Sequence, residues 1–493
     1  MIARTIAALA AATPLALAGP LTPPAGPPAD TSPSLDDVNN AINNVLDTLT
    51  GAPIPLPTIP GDADSEHVIT QPGRYILDDD LVVPGGKSGV RIESDCVELL
   101  LGGHTIKDGG GAEALVEVLL GPPIVLPTPG VKVADGVLDG GERAIDAPNT
   151  PVIAEHLKLV DQAIEALRVG PDSEVRDTDI FDSGGNGITA NERLVTEAVR
   201  VARATLDGIN AGPGAELRDT EIIDPGGNGA TLGDESLVTD TGVTNCTGTG
   251  LDVGEHSTVR DTRVDTAATG ITTGNNSLVT EVGVTNCTGT GIDVAQGSTV
   301  HNSTVTGATD GVATGDSSLV IRTIATQCTG RAIVLGNASR AQDCEARDSD
   351  VGIDAADACT LQSNSVLGCI NVGIALGSDG IARDNVVRFV PAGNGIQLGQ
   401  SNTVERCLVI GAAGDAIGPM GQGNIIQHNT CRDSNVGFQM TPGSYYYNNQ
   451  CFGNANNIIP NPAAAYGPIV PITGAGDLGL IPQTQHPLAN FQD

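Results

Sequence analysis

The chain is 493 residues long and carries 59 Asp and Glu against 24 Lys and Arg, a formal charge of −35, with 64 Gly, 5 Phe, 5 Tyr and no Trp. The missing basic footprint excludes nucleic acid and anionic membrane surfaces as natural partners, and the scarcity of rings excludes an aromatic core, leaving one built from small β-branched side chains. The length accommodates two or three ordinary domains or one elongated array, and the internal pattern decides between them.

Residues 1–18 combine Arg4, an apolar run from Thr5 to Leu17 and an Ala16-Leu17-Ala18 cleavage pattern, which reads as a signal peptide. The run is too short for a membrane span and contains Pro14, and no later stretch reaches the roughly 20 apolar residues that a transmembrane segment requires. The expectation is a soluble protein secreted from the cell or held in its envelope. Residues 19–65 read as a Pro-rich linker carrying a short amphipathic helix over 34–50. There Leu35, Val38, Ile42, Val45 and Leu49 share one face, and Ser34 with Asp37 forms a capping pattern.

From 66 to 459 the text is strand-like and repetitive. The phrase from Ser236 to Val253 returns from Ser277 to Val294 with 15 of 18 positions identical. A Gly or Ala followed by an aliphatic residue marks each unit, from Ala144 through Gly250, Gly291 and Gly373 to Gly437, in fifteen marks spaced twenty to twenty-two positions apart. Within a unit, Leu251 and Val253, then Val259, then Val264 are separated by Gly, Asp, Ser and Thr, the pattern of three short strands with tight turns. Such strands cannot stand alone, but units stacked at about 4.8 Å form three parallel ladders around a narrow aliphatic core. The predicted architecture is an all-β parallel β-helix of about 15 to 18 coils, its fifteen marked coils spanning roughly 70 Å, with residues 460–493 as a C-terminal capping tail.

The units "INVGIAL" (Ile370 to Leu376) and "STVHNSTVTG" (Ser298 to Gly307), and the opening segment from Pro72 to Ile106, resemble the β-helix repeats of the pectin-lyase-like superfamily in its secreted bacterial form. The resemblance implies a right-handed coil, and it implies lyase or hydrolase activity on acidic polysaccharides as one outcome among many, because one fold hosts many functions. The Asn-Thr-Asp, Gly-His-Gly and Arg-Ile-Lys signatures of polygalacturonase-like members are absent.

Counting two residues past the aliphatic position of the second strand gives a charged column that includes Glu197, Asp219, Asp240, Asp261, Glu281, Arg383 and Arg406. Like charges about 5 Å apart raise one another's pKa or recruit a cation, so Asp219, Asp240, Asp261 and Glu281 are candidate Ca²⁺ ligands; the plainer expectation is a solvated acidic edge relieved by Arg176, Arg218, Arg260 and Arg263. The next position, with Thr220, Thr241, Ser303, Asn364 and Asn429, reads as a hydrogen-bonding ladder. Asp252 and Asp293 lie two coils apart, about 10 Å, near the separation of the acid and base in inverting glycoside hydrolysis, although duplication of the phrase accounts for them more cheaply. Cys246, Cys287, Cys328 and Cys369 fall on alternate coils, too far apart to pair, whereas Cys431 and Cys451 are one coil apart and form the candidate disulfide. The seven His show no metal-ligand spacing, so Ca²⁺ is the one cofactor with any basis here.

No Lys follows Lys158, so a lyase would need an arginine base, and Arg383, Arg388 and Arg406 are the cluster available. Units of so short and even a length leave no room for the loops that wall a cleft, and rings for sugar stacking are few apart from Tyr445, Tyr446 and Tyr447. The sequence therefore favours a secreted, non-catalytic scaffold that binds a polysaccharide or cell-surface glycan, with a polysaccharide lyase or glycoside hydrolase as the alternative.

Overall fold

The computed structural model describes residues 52–120, 130–471 and 488–492. The expected signal peptide, the expected helix over 34–50 and the middle of the expected capping tail lie outside these residues. Among the described residues no helix is long and apolar enough to cross a membrane.

One coil shows how the sequence builds the rest. Thr249–Val253, Thr258–Arg260 and Arg263–Asp265 are its strands, and Leu251, Val253, Val259 and Val264 turn inward with at most 2% exposure. Each strand pairs in parallel with its counterpart on the next coil, like residue over like: Leu251 over Ile271, Val259 over Val279 and Val264 over Val284. Full burial of such a side chain stabilises by about 1.5–3 kcal/mol, but only when a neighbouring coil covers it, so the array folds by stacking. The result is a right-handed parallel β-helix of about 19 turns, a rod of roughly 90 Å at the spacing of parallel strands. The first strands of the coils form one sheet, and the second and third strands merge into a 35-stranded sheet.

The coil count exceeds the 15 to 18 expected. Ser65–Ile69, Ser88–Ile92 and Ala114–Val118 add three coils at the N-terminal end, and Asn456–Ile459 adds one at the other. These lack the Gly-aliphatic mark or its spacing. The mark itself is a packing requirement: a Cβ on Gly250 would lie 2.4 Å from Val264 Cγ1 and 2.5 Å from the Gly270 carbonyl oxygen. A methyl is tolerated at Ala144, Ala332 and Ala416, each fully buried.

Each regular coil turns three corners, and at most of them a single residue adopts the left-handed conformation, as Glu235, Asp240 and Asn245 do within one coil. The residue that follows is buried and bonds along the stack. After the first corner this produces a serine ladder absent from the sequence-based expectation: the backbone N–H of Ser236 donates to Ser257 Oγ (3.0 Å), Ser257 to Ser277 (3.2 Å), Ser277 to Ser298 (3.1 Å), Ser298 to Ser318 (3.3 Å) and Ser318 to Ser339 (3.0 Å). Its signal, a Ser recurring at every turn of the coil, is visible in the sequence.

Candidate functional site

The acidic edge is the second corner. Asp219, Asp240, Asp261 and Glu281 sit there on successive coils with φ of 46°, 50°, 50° and 58°, all exposed. Asp and Asn tolerate this conformation better than other side-chain-bearing residues because their short polar groups bond locally, so backbone geometry accounts for much of the acid in this column. Two positions depart from the sequence count: Ala198 and Asp384 hold the left-handed corner, leaving Glu197 and Arg383 one residue ahead of it. The cause is that Thr196 and Ala382, rather than the aliphatic Val195 and Ile381, face the core.

Just before this corner, Glu155, Arg176, Glu197 and Arg218 are register partners on four successive coils, an alternating ladder of charge. With Asp177, Asp219, Asp240 and Arg260 they line a shallow groove of about 710 Å³. The arginines are met locally: Arg176 lies 2.7 Å from Glu174 and 3.7 Å from Glu197, Arg218 pairs with Glu216, and Arg260 Nε donates to Thr239 Oγ1 at 3.1 Å. Among the described residues no three His, Cys, Asp or Glu side chains converge as a metal shell.

Asp252 and Asp293 lie on the sheet of first strands with Thr272 between them in register. Burial raises both carboxyls above the usual range, with the charge of Asp207 adding to the effect on Asp252. An acid and base pair needs environments that push two carboxyls apart in pKa, whereas these two are pushed the same way.

The three arginines are not one cluster. Arg406 donates to Asp384 at 2.7 and 3.3 Å and lies 3.2 Å from Glu405, and these contacts, the Asp384 bond foremost, hold its guanidinium further from deprotonation than usual, the opposite of what a base requires. Arg383 ends the strand Ile381–Arg383. Arg388 stands beyond the corner, in Val386–Val390, in register with Leu367 and Ile410.

Cys246, Cys287, Cys328 and Cys369 are buried just past the third corner, where burial pushes the Cys287 and Cys369 thiols up to about 11. Cys431 and Cys451 replace valine in the third core column, fully buried and in register. They remain the candidate pair for a disulfide: adjacent parallel strands lie about 4.8 Å apart, within the roughly 4.4–6.8 Å between Cα atoms that a disulfide spans. Of the three tyrosines, Tyr446 is core, Tyr445 is exposed, and Tyr447 meets His428 edge to face at 6.5 Å.

No protein-family model and no curated protein matches the chain. Among solved structures it is similar to DFA-IIIase from Arthrobacter chlorophenolicus A6, at 12% identity over 80% of this chain and 90% of that one with a TM-score of 0.23. It is similar to the A-module of the mannuronan C-5 epimerase AlgE6 of Azotobacter vinelandii, at 9% over 75% and 88% with a TM-score of 0.23. A third is the receptor-binding protein of bacteriophage Det7, a podoviral tailspike in a myovirus, at 10% over 89% and 79% with a TM-score of 0.24. Likeness at this level carries nothing about activity.

Proposed function

We propose that this protein is a non-catalytic rod, exported from the cell, that presents a long regular face to a glycan. The observation that carries the reading is the unbroken register: from Arg143–Ala147 to Asn456–Ile459 successive first strands begin at nearly constant intervals wherever the full strand is formed, so no long insertion rises from the coils to enclose a substrate. Enzyme sites are concave and bury most of a ligand, whereas the broad depression on the second corner is shallow, and Arg176 and Arg218 in it are held by neighbouring glutamates.

The test is incubation with a panel of acidic and neutral polysaccharides, following new reducing ends and the ultraviolet absorbance of unsaturated ends, alongside binding to the same panel. Binding without turnover supports the rod. Unsaturated product establishes a lyase, and saturated product returns Asp252 and Asp293 to consideration as a hydrolase pair.

A further inference from the structure

Residues 361–460 hold five carboxylates and four arginines, so this end of a strongly acidic chain is nearly neutral. At its third corner Phe389 is 62% exposed with φ of 56°. The coils on either side place Gly368 and Gly411 at the same corner, with φ of 70° and 72°. Glycine adopts this conformation freely, whereas a bulky aromatic there is an outlier. The ring gains little from burial, so neither packing nor backbone preference accounts for Phe389.

Its surroundings are equally specific. Arg388 is exposed and makes no ion pair among the described residues, while Arg331, Arg347 and Arg406 each hold a carboxylate. The Arg388 column reads Arg347, Leu367, Arg388, Ile410, Arg432 and Phe452 in register, which sets an arginine on every second coil, about 10 Å apart. The carboxylates of the Phe389 column, Asp348 and Asp433, lie two coils away on either side. Because the adjoining corners are glycines, no side chain screens the ring, which leans over Gly411 with Cδ1 3.7 Å from where a Cβ would stand.

The geometry points to a docking site for an acidic glycan at Arg388 and Phe389, a sugar ring lying on the Phe389 face with its carboxylate in the Arg388 fork and the chain running along the rod toward Arg347 and Arg432. An aromatic face suits the apolar side of a sugar ring, and a planar guanidinium without a partner suits a carboxylate in two parallel hydrogen bonds. The inference rests on the glycan-binding reading above and adds the place and the ligand class.

Calorimetric titration of the full chain with oligogalacturonates and oligomannuronates, and with neutral cello-oligosaccharides, tests it. Phe389→Gly and Arg388→Gln are expected to weaken binding of the acidic oligosaccharides about tenfold each, while Asp252→Asn, on another face, leaves it unchanged. Phe389→Gly is also expected to melt no lower than the parent protein, since glycine relieves the corner, which separates lost binding from lost folding. Acidic glycan bound equally by both variants would overturn this site and leave the glycan reading standing. Equal binding of neutral oligosaccharides by the parent would overturn the ligand class, and no binding to any of them would remove the glycan reading together with the site.

Discussion

Asn385 Oδ1 accepts two hydrogen bonds from Asn364, one from the backbone N–H at 2.9 Å and one from the side-chain amide at 3.0 Å, with both residues at most 1% exposed. The Asn385 amide in turn donates to the Leu361 carbonyl at 3.0 Å. Asn385→Ala removes all three bonds and strands two buried donors of Asn364, each costing about 1–3 kcal/mol. The expected outcome is a fall of about 3 kcal/mol in stability by urea denaturation, with faster hydrogen exchange at Asn364. An unmoved midpoint would mean that the ladder does not hold these coils together.

The carboxyls of Asp252 and Asp293 are raised by burial, so the folded chain binds their protons more readily than the unfolded chain. Their contribution to stability is therefore fully present below the unfolded value near 4 and is lost as pH rises through the raised folded value. Asp252→Asn and Asp293→Asn are expected to raise the melting temperature at pH 7, with the gain disappearing below about pH 4. A gain of equal size at both pH values would point to a cause other than ionisation.

Gly291 and Gly283 make a paired test of the core corner. A Cβ on Gly291 would lie 2.3 Å from Val305 Cγ1 and 2.7 Å from the Gly311 carbonyl oxygen, whereas one on Gly283 meets nothing within 4 Å. Gly291→Val is expected to destabilise by about 3 kcal/mol through overpacking, and Gly283→Ala to be neutral or to stabilise by about 0.5 kcal/mol. Equal effects in thermal or urea unfolding would contradict the packing account.

On the acidic edge, Asp240→Asn and Asp261→Asn keep a residue suited to the left-handed corner while removing like charge. A higher melting temperature at low salt that converges with the parent at about 1 M salt is expected. Addition of Ca²⁺ should shift parent and variant equally. A Ca²⁺-dependent rise confined to the parent would establish the edge as a cation site.

Burial, with the neighbouring Cys451, holds the Cys431 thiol well above its usual range, and the thiolate is the reactive form. Cys431 is therefore expected to resist thiol reagents in the folded rod and to react once guanidinium unfolds it. An intact mass lighter by two hydrogens before reduction, mapped to Cys431 and Cys451, would instead establish the disulfide between these register partners.

The period, the aliphatic columns and the corner positions are legible in the sequence because a stacked coil meets the same environment once per turn, so each constraint is written once per unit. The Ser236 to Ser339 ladder belongs to the same class. What hydropathy misplaces is the choice between adjacent residues. Val195 looks more like core than Thr196, yet register between Val175 and Leu217 turns Thr196 inward, where its hydroxyl meets Thr220 Oγ1 at 2.9 Å, and the charged column moves by one residue. The pair at Arg388 and Phe389 shows the same limit: strict alternation along a strand buries one of two neighbours, and the sequence offers no reason for both to face water. Tertiary structure decides it, because the left-handed corner shared with Gly368 and Gly411 breaks the alternation and turns arginine and ring outward together.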